Sequence, residues 1–432
     1  MPTTALRRNR RPICVDLFAG AGGLSLGFEQ AGFDIVTAVE IDPIHAAAHE
    51  FNFPYTKVVC RDIKHIAGEQ IRKAAGIGNR RIDVIVGGPP CQGFSLIGHR
   101  ILDDPRNELV FHFLRLVREA RPRYFVMENV PGMVTGGHRD LFDSLVARFR
   151  ALGYTVRHAV RNAANFGVPQ NRSRVFILGT AKGLQVAEPP EPMTALRSID
   201  GSIKGDANLP PCPSVEDAIG DLPDIDDFEE LLTKDELIRP LPPAPHYASV
   251  LRGEAEDTED YSYRRSRPEK MLTGCLRAEH TKESRDRFLA TPQGQTEPIS
   301  RFYRLPLKGL SNTLRSGTAS DRGAFTSPRP IHPIHPRCIS VREAARIHSF
   351  PDWFWLHQTK WHGFRQIGNS VPPLLARAVA QQVIEALGVK PARPRQMLME
   401  GARDLLRFDM SEAARRFGVE RTVIAPRTRR GV

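Results

Sequence analysis

Short apolar runs rich in β-branched residues recur along the first part of the chain. Asp83-Val84-Ile85-Val86 is one of them, the signature of a strand buried on both faces. Ile13 to Phe18 reads as a first strand, Ile35 to Val39 as a second, and a short third lies near Val58-Val59. Further strands fit Tyr124 to Met127, Thr155 to Val160 and Val175 to Gly179, with helix-like stretches at Leu24 to Ala31, Leu109 to Ala120 and Leu141 to Leu152. This alternation predicts an α/β fold with a doubly wound, mostly parallel sheet. In such sheets ligands bind beyond the carboxyl ends of the strands. The glycine-rich turn after Phe18, Glu40, Cys91 and Glu128 would all lie along that edge.

After Gly179 the pattern breaks into short pieces punctuated by prolines, among them Pro240-Leu241-Pro242-Pro243-Ala244-Pro245. Ser340-Val341-Arg342-Glu343 has the form of a capping box and predicts a helix from Val341 to about Ser349. Pro372-Pro373 then opens a helix-like stretch ending at Leu387. Two short helices, Met397 to Phe408 and Ser411 to Phe417, fit a C-terminal segment read chiefly as a basic, partly ordered tail.

With 432 residues, two domains are the default expectation. Six cysteines, at 14, 60, 91, 212, 275 and 338, are scattered without a Cys-x-x-Cys pair, against a zinc site or disulfide framework and for a reducing cytoplasm. No apolar stretch is long enough to span a membrane. The net charge is +12, which suits a polyanionic partner. From Lys390 onward eleven basic residues stand against five acidic ones. Arg264-Arg265-Ser266-Arg267, Arg285, Arg287 and Arg301 to Arg315 are the expected nucleic-acid face. The acidic stretch from Val215 to Glu236 is expected to face away from it.

The candidate chemistry centres on Gly87-Gly88-Pro89-Pro90-Cys91-Gln92-Gly93-Phe94-Ser95. A strand running into two glycines and two prolines would hold the Cys91 thiol fixed and partly exposed, as a nucleophile requires; a buried structural cysteine is the alternative. Gly20, Gly22 and Gly23 let backbone approach a ligand closely ahead of a helix N-terminus. The dinucleotide pattern Gly-x-Gly-x-x-Gly fails at Ser25, which weakens an oxidoreductase reading. Glu40, ending the second strand, sits where a carboxylate accepts from ribose hydroxyls, and Asp62 could accept from an adenine amino group.

Asp16-Leu17-Phe18-Ala19-Gly20-Ala21-Gly22-Gly23, Pro-Pro-Cys-Gln-Gly-Phe-Ser, Glu128-Asn129-Val130, Gln170-Asn171-Arg172-Ser173-Arg174, Arg342-Glu343-Ala344-Ala345-Arg346 and Gln366-Ile367-Gly368-Asn369-Ser370-Val371-Pro372 occur in this order. Together they resemble the DNA (cytosine-5)-methyltransferase family of bacterial restriction-modification type. The resemblance spans about residues 13 to 376; His348 departs from it, where the family usually has Gln.

It implies a Rossmann-like S-adenosylmethionine-dependent methyltransferase fold with a smaller, irregular target-recognition domain. Residues 12–180, completed by 366–388, would form the catalytic domain, 181–345 the recognition domain with its bracing helix, and 389–432 the tail. Cys91, Glu128, Arg172 and Arg174 would be catalytic, with Arg174 on the cytosine carbonyl and Arg172 at a phosphate or the loop near Cys91. Phe18, Gly20, Gly22, Gly23, Glu40, Ile41, Asp62, Ile63, Pro89, Asn369 and Val371 would hold S-adenosylmethionine. Gln92, Ser95, Arg106, Thr313 and Leu314 would meet double-stranded DNA, with Ser95 to Asn107 as a mobile closing loop. The implied protein is a cytoplasmic, metal-free, monomeric enzyme. A tRNA cytosine methyltransferase and an inactive DNA-binding relative are the alternatives; the long Gly179–Arg337 segment favours DNA, and the intact catalytic residues favour activity.

Overall fold

The computed structural model describes residues 11–90, 108–135, 139–266, 268, 270–317 and 329–424. Cys91, Gln92, Ser95, Arg106 and the expected closing loop lie outside the described residues. The central sheet comprises, among the described residues, β1 (Ile13–Leu17), β2 (Asp34–Glu40), β3 (Lys57–Cys60), β4 (Val84–Gly87), β5 (Tyr124–Asn129), β6 (Tyr154–Asn162) and β7 (Ser173–Ala181) in the order β3-β2-β1-β4-β5-β7-β6. The pairings from β3 to β5 are parallel, whereas β7 runs antiparallel to both β5 and β6. Helices α1 (Gly23–Gln30), α2 (Pro43–Asn52), α3 (Gly68–Ala74), α4 (Glu108–Ala120) and α5 (Arg139–Ala151) complete this layered unit.

Alternation along the strands divides the core in two. Val84, Val86, Tyr124 and Val126 join Phe28, Phe33 and Leu375 in one apolar cluster. Ile85, Phe125 and Met127 join Phe113, Phe142 and Phe149 in the other. Successive side chains point to opposite faces, so both faces being covered requires apolar residues at consecutive positions, as at Val84–Val86 and Tyr124–Met127. Phe125 stacks on Phe149 with ring centroids 4.1 Å apart. Burying such a side chain stabilises the fold by about 1.5–3 kcal/mol.

The second part of the chain is irregular. Its short helices are α6 (Val215–Ile219), α7 (His246–Leu251), α8 (Lys282–Ala290), α9 (Val341–Ile347) and α10 (Lys360–Asn369), followed by the longer α11 (Pro373–Leu387). The capping box forms as expected: Ser340 Oγ accepts from the Glu343 amide at 3.1 Å and Glu343 accepts from the Ser340 amide at 2.6 Å. Helix α9 stops at Ile347, short of Ser349, whose φ of 65° is left-handed. Helix α11 returns to pack on α1, with Gly27 lying against Ala376.

Beyond Leu387 the chain departs from a loose tail. Of the two expected short helices the second forms, whereas the first gives way to a strand, Met397–Leu398, paired in parallel with Arg264–Arg265, and a single 3-10 turn at Arg403–Leu406. Leu405 and Leu406 are buried, and α12 (Met410–Phe417) packs on α2, where Arg416 pairs with Glu50. Leu405 and Leu406 join Phe51 of α2 in one buried apolar cluster. Among the described residues, no helix is long and apolar enough to cross a membrane, and no group of His, Cys, Asp or Glu is arranged to hold a metal ion.

Candidate active site at the carboxyl edge of the sheet

Strand β1 ends in a turn whose conformation dictates its composition. Phe18, Gly20 and Gly22 all have positive φ, at 64°, 57° and 108°. A Cβ on Gly20 would enter open space, the kind of volume a ligand can occupy against bare backbone. The Gly20 amide donates to Glu40 Oε2 at 2.7 Å, and the other Glu40 oxygen accepts from the Ile41 and Asp42 amides at 3.0 and 2.9 Å. Burial raises the Glu40 pKa above the usual carboxylate value, with the neighbouring histidine His45 and these amides opposing it. The ends of β1 and β2 are thereby locked together.

Glu40 lies opposite Cys60 in the β2–β3 register. Two residues further on, partly exposed Asp62 accepts from the Lys64 amide at 3.0 Å, and Ile63 is buried. From the far end of the chain, the segment after α10 comes back to the same turn. A Cβ on Gly23 would lie 2.5 Å from the Val371 carbonyl oxygen and 2.8 Å from Ser370 Cβ. Asn369 is exposed beside it, whereas the Val371 side chain is buried in the core. The glycine turn, Glu40 and the 369–371 segment are thus brought together.

Glu128 lies one residue beyond the expected end of its strand, still within β5, opposite Phe176 of β7. Its Oε1 is 2.9 Å from Arg174 Nε, and both side chains are largely buried. Burial raises the Glu128 pKa, while the positive charges of Arg174 and Arg172 pull it down; burial wins. This carboxyl therefore holds a proton more readily than an exposed one. The turn after β4 is built against it. A Cβ on Gly88 would stand 2.6 Å from Glu128 Oε2, and Asn129 Nδ2 donates to the Pro89 carbonyl at 3.1 Å. Pro89 is buried, Pro90 is exposed, and the next residue in sequence is Cys91.

A family model described as C-5 cytosine-specific DNA methylase matches residues 13–385. This chain belongs to that family. It is 53% identical to the type II methyltransferase M.XorII of Xanthomonas oryzae pv. oryzae, over 97% of this chain and 95% of that protein. It is 33% identical to the type II methyltransferase M.AgeI of Thalassovita gelatinovora, over 86% of this chain and 99% of that protein. Among solved structures it resembles a putative DNA modification methyltransferase encoded within an Escherichia coli prophage, with a TM-score of 0.69 and 32% identity over 87% of this chain and 99% of that one. The seven-stranded mixed sheet with its helices is the α/β methyltransferase fold.

In this cytosine methylase several residues lie elsewhere than their sequence positions suggested. Arg172, expected at a phosphate or the loop near Cys91, is 1% exposed. Its guanidinium donates to the carbonyls of Leu314, Gly368 and Ser370 at 2.6, 2.8 and 2.9 Å. The Leu314 side chain is buried in the core. Partly exposed Thr313 donates its hydroxyl to the Asn171 carbonyl at 2.7 Å.

The expected basic face also dissolves in part. Arg265 pairs with Glu29 at 2.7 Å and lies over the Trp353 ring, 4.0 Å from its centroid. Arg285 pairs with Asp226, Arg287 with Glu297, and Arg304 donates to the Leu289, Thr291 and Pro333 carbonyls. Arg301 and Arg315 remain exposed. The acidic stretch turns partly inward: Asp221 holds Arg346 at 2.6 Å and Asp224 holds Arg337 at 2.8 Å.

Sequence reasoning gave no role to Gly88, Gln170, His348 or Ser25. Gly88 makes room for the Glu128 carboxylate. Gln170 and His348 tie the second part of the chain to the sheet, with Gln170 Nε2 3.0 Å from His348 Nδ1. Below the glycine turn, Ser25 donates to Asp16 at 2.6 Å and lies 3.0 Å from His49 Nε2. Burial lifts the Asp16 pKa to about 7 and depresses that of His49 to about 3. The failed third glycine at Ser25 was the available signal for this network.

Proposed function

We propose that this chain transfers a methyl group from S-adenosylmethionine to carbon 5 of a cytosine flipped out of a specific duplex DNA sequence, as the modification enzyme of a type II restriction-modification system. The names of its relatives support the biological setting. The observation that carries the chemistry is the largely buried Glu128–Arg174 pair directly over the turn that leads to Cys91.

Carbon 5 of cytosine is a poor nucleophile within an aromatic ring. In the proposed reaction the Cys91 thiolate adds to carbon 6, the Glu128 carboxyl supplies a proton or hydrogen bond at N3, and carbon 5 becomes enamine-like. Carbon 5 then takes up the methyl group, and removal of its proton by a base expels the thiolate. Arg174 holds Glu128 in place and offers its remaining N–H groups to the cytosine carbonyl. The base reaches this edge only by leaving the stack.

S-adenosylmethionine, when bound, supplies an electrophilic methyl group on a sulfonium. The residues fit it: open backbone at Gly20, a locked Glu40 for the ribose hydroxyls, Asp62 for the adenine amino group, Phe18 for the adenine face, and Asn369 at the closing segment. We assign the protein to the bacterial cytoplasm, acting as a monomer. Incubation with tritiated S-adenosylmethionine and either duplex DNA or tRNA tests the proposal. Label should enter the DNA at cytosine carbon 5; label in tRNA alone would overturn it.

A further inference from the structure

Resting on that reading, we propose that His348 is a positioning residue that ties the recognition segment at Leu314 to the cofactor-side segment at Ser370 through Gln170, so that cofactor affinity depends on how Leu314 is seated. The ring is fully buried at the end of α9. Its Nε2 is 3.1 Å from the Ser370 carbonyl oxygen and its Nδ1 is 3.0 Å from Gln170 Nε2. A carbonyl can only accept, so Nε2 carries the hydrogen and Nδ1 accepts from the Gln170 amide. Gln170 then faces Leu314 with its oxygen, which accepts from the Leu314 amide at 3.1 Å. Each link fixes the next.

Arg172 closes the circuit from the other side. It binds the Leu314 carbonyl with one nitrogen and the carbonyls of Gly368 and Ser370 with another. Both backbone polar groups of Leu314 are thereby held, and the carbonyls on either side of Asn369 are fixed. Ser370 and Val371 press on Gly23 of the glycine-rich turn. A continuous set of contacts thus joins the recognition segment to the cofactor turn, the physical requirement for coupling between two sites.

The circuit needs a neutral ring. Burial, then the charges of Arg172 and Arg174 facing it, hold the His348 pKa far below the ordinary histidine value. A protonated ring would also set Nδ1–H against the Gln170 amide, donor against donor. Wild-type cofactor binding should accordingly show no dependence on His348 protonation above pH 6.

The test is calorimetric binding of S-adenosylhomocysteine to the full chain between pH 6 and 8.5. His348→Ala should weaken binding about tenfold, the loss of one buried hydrogen-bonded link. His348→Gln, whose amide both donates and accepts, should stay within about threefold of wild type. Gln170→Glu keeps the shape and the acceptor for Leu314 but faces Nδ1 with an oxygen, so the contact between the new carboxylate and His348 must take up one proton. Its binding should weaken as pH rises, by about tenfold across the range, where wild type shows no such trend. This variant decides the matter if His348→Ala fails to fold.

Wild-type affinity in His348→Ala, equal weakening in His348→Ala and His348→Gln, or an unaltered pH profile in Gln170→Glu would overturn the inference. Failure of the wild-type chain to bind S-adenosylhomocysteine at all would instead sink the proposed function.

Discussion

Arg174 Nε lies 2.9 Å from Glu128 Oε1, and the opposite carboxylate oxygen is crowded by the position a Cβ on Gly88 would take. The strand that supplies the acid, the strand that orients it and the turn that leads to the thiol are fitted to one another here. This relationship sets the first two predictions.

Glu128→Gln should retain DNA and cofactor binding and lose turnover by about 10²–10⁴-fold, the range for a positioned acid. Methyl transfer from labelled cofactor, read beside separate binding measurements, checks this. A near-normal rate would remove Glu128 from the chemistry.

Gly88→Ala probes the same fit without touching a charged group. The added methyl must displace the carboxylate, because Oε2 would stand only 2.6 Å away. Turnover should fall at least about tenfold, while stability to urea changes by about 1–3 kcal/mol, the cost of overpacking. Unchanged kinetics would mean that Glu128 does not need its observed position.

Arg172→Met separates a structural clamp from a phosphate contact. Three buried carbonyls lose their donor, and the expected destabilisation is about 2–4 kcal/mol. Urea unfolding measures it. A variant as stable as wild type that binds DNA poorly would restore the phosphate role.

Glu343 gives a pH signature. Burial by itself would raise this carboxyl, yet Arg337 at 2.8 Å, the His332 ring and the Ser340 amide hold its pKa down at about 2, against an ordinary 4.5. Because the folded value is depressed, its contribution is complete above pH 4.5 and disappears as pH falls toward 2. The contribution amounts to about 3 kcal/mol. Acid unfolding of Glu343→Gln should lack this component between pH 4.5 and 2, and the variant should be less stable at pH 7. Matching acid-unfolding curves would contradict the assignment.

The sheet was legible because its strands announce themselves locally. Val84 to Val86 and Tyr124 to Met127 are apolar at consecutive positions, and both faces are covered. Glu40 and Glu128 were legible as acids closing apolar runs. What sequence pattern could not convey was pairing across distance. Arg265 finds Glu29 across 236 positions, and Arg172 reaches carbonyls 142 to 198 positions away. An arginine read as a solvated or DNA-facing charge is, in both cases, neutralised or satisfied within the fold. The helix at Ser411 to Phe417 was legible, but the docking of the tail was not, for the same reason: Leu405 and Leu406 find α2 only in three dimensions.

Trapping with duplex DNA containing 5-fluorocytosine tests the central claim most directly, since fluorine at carbon 5 blocks release of the enzyme. With S-adenosylmethionine present, the wild-type chain should form a covalent complex that survives denaturing electrophoresis, and Cys91→Ser should form none. An adduct that persists in Cys91→Ser, or a wild-type chain that methylates DNA without ever being trapped, would contradict the account.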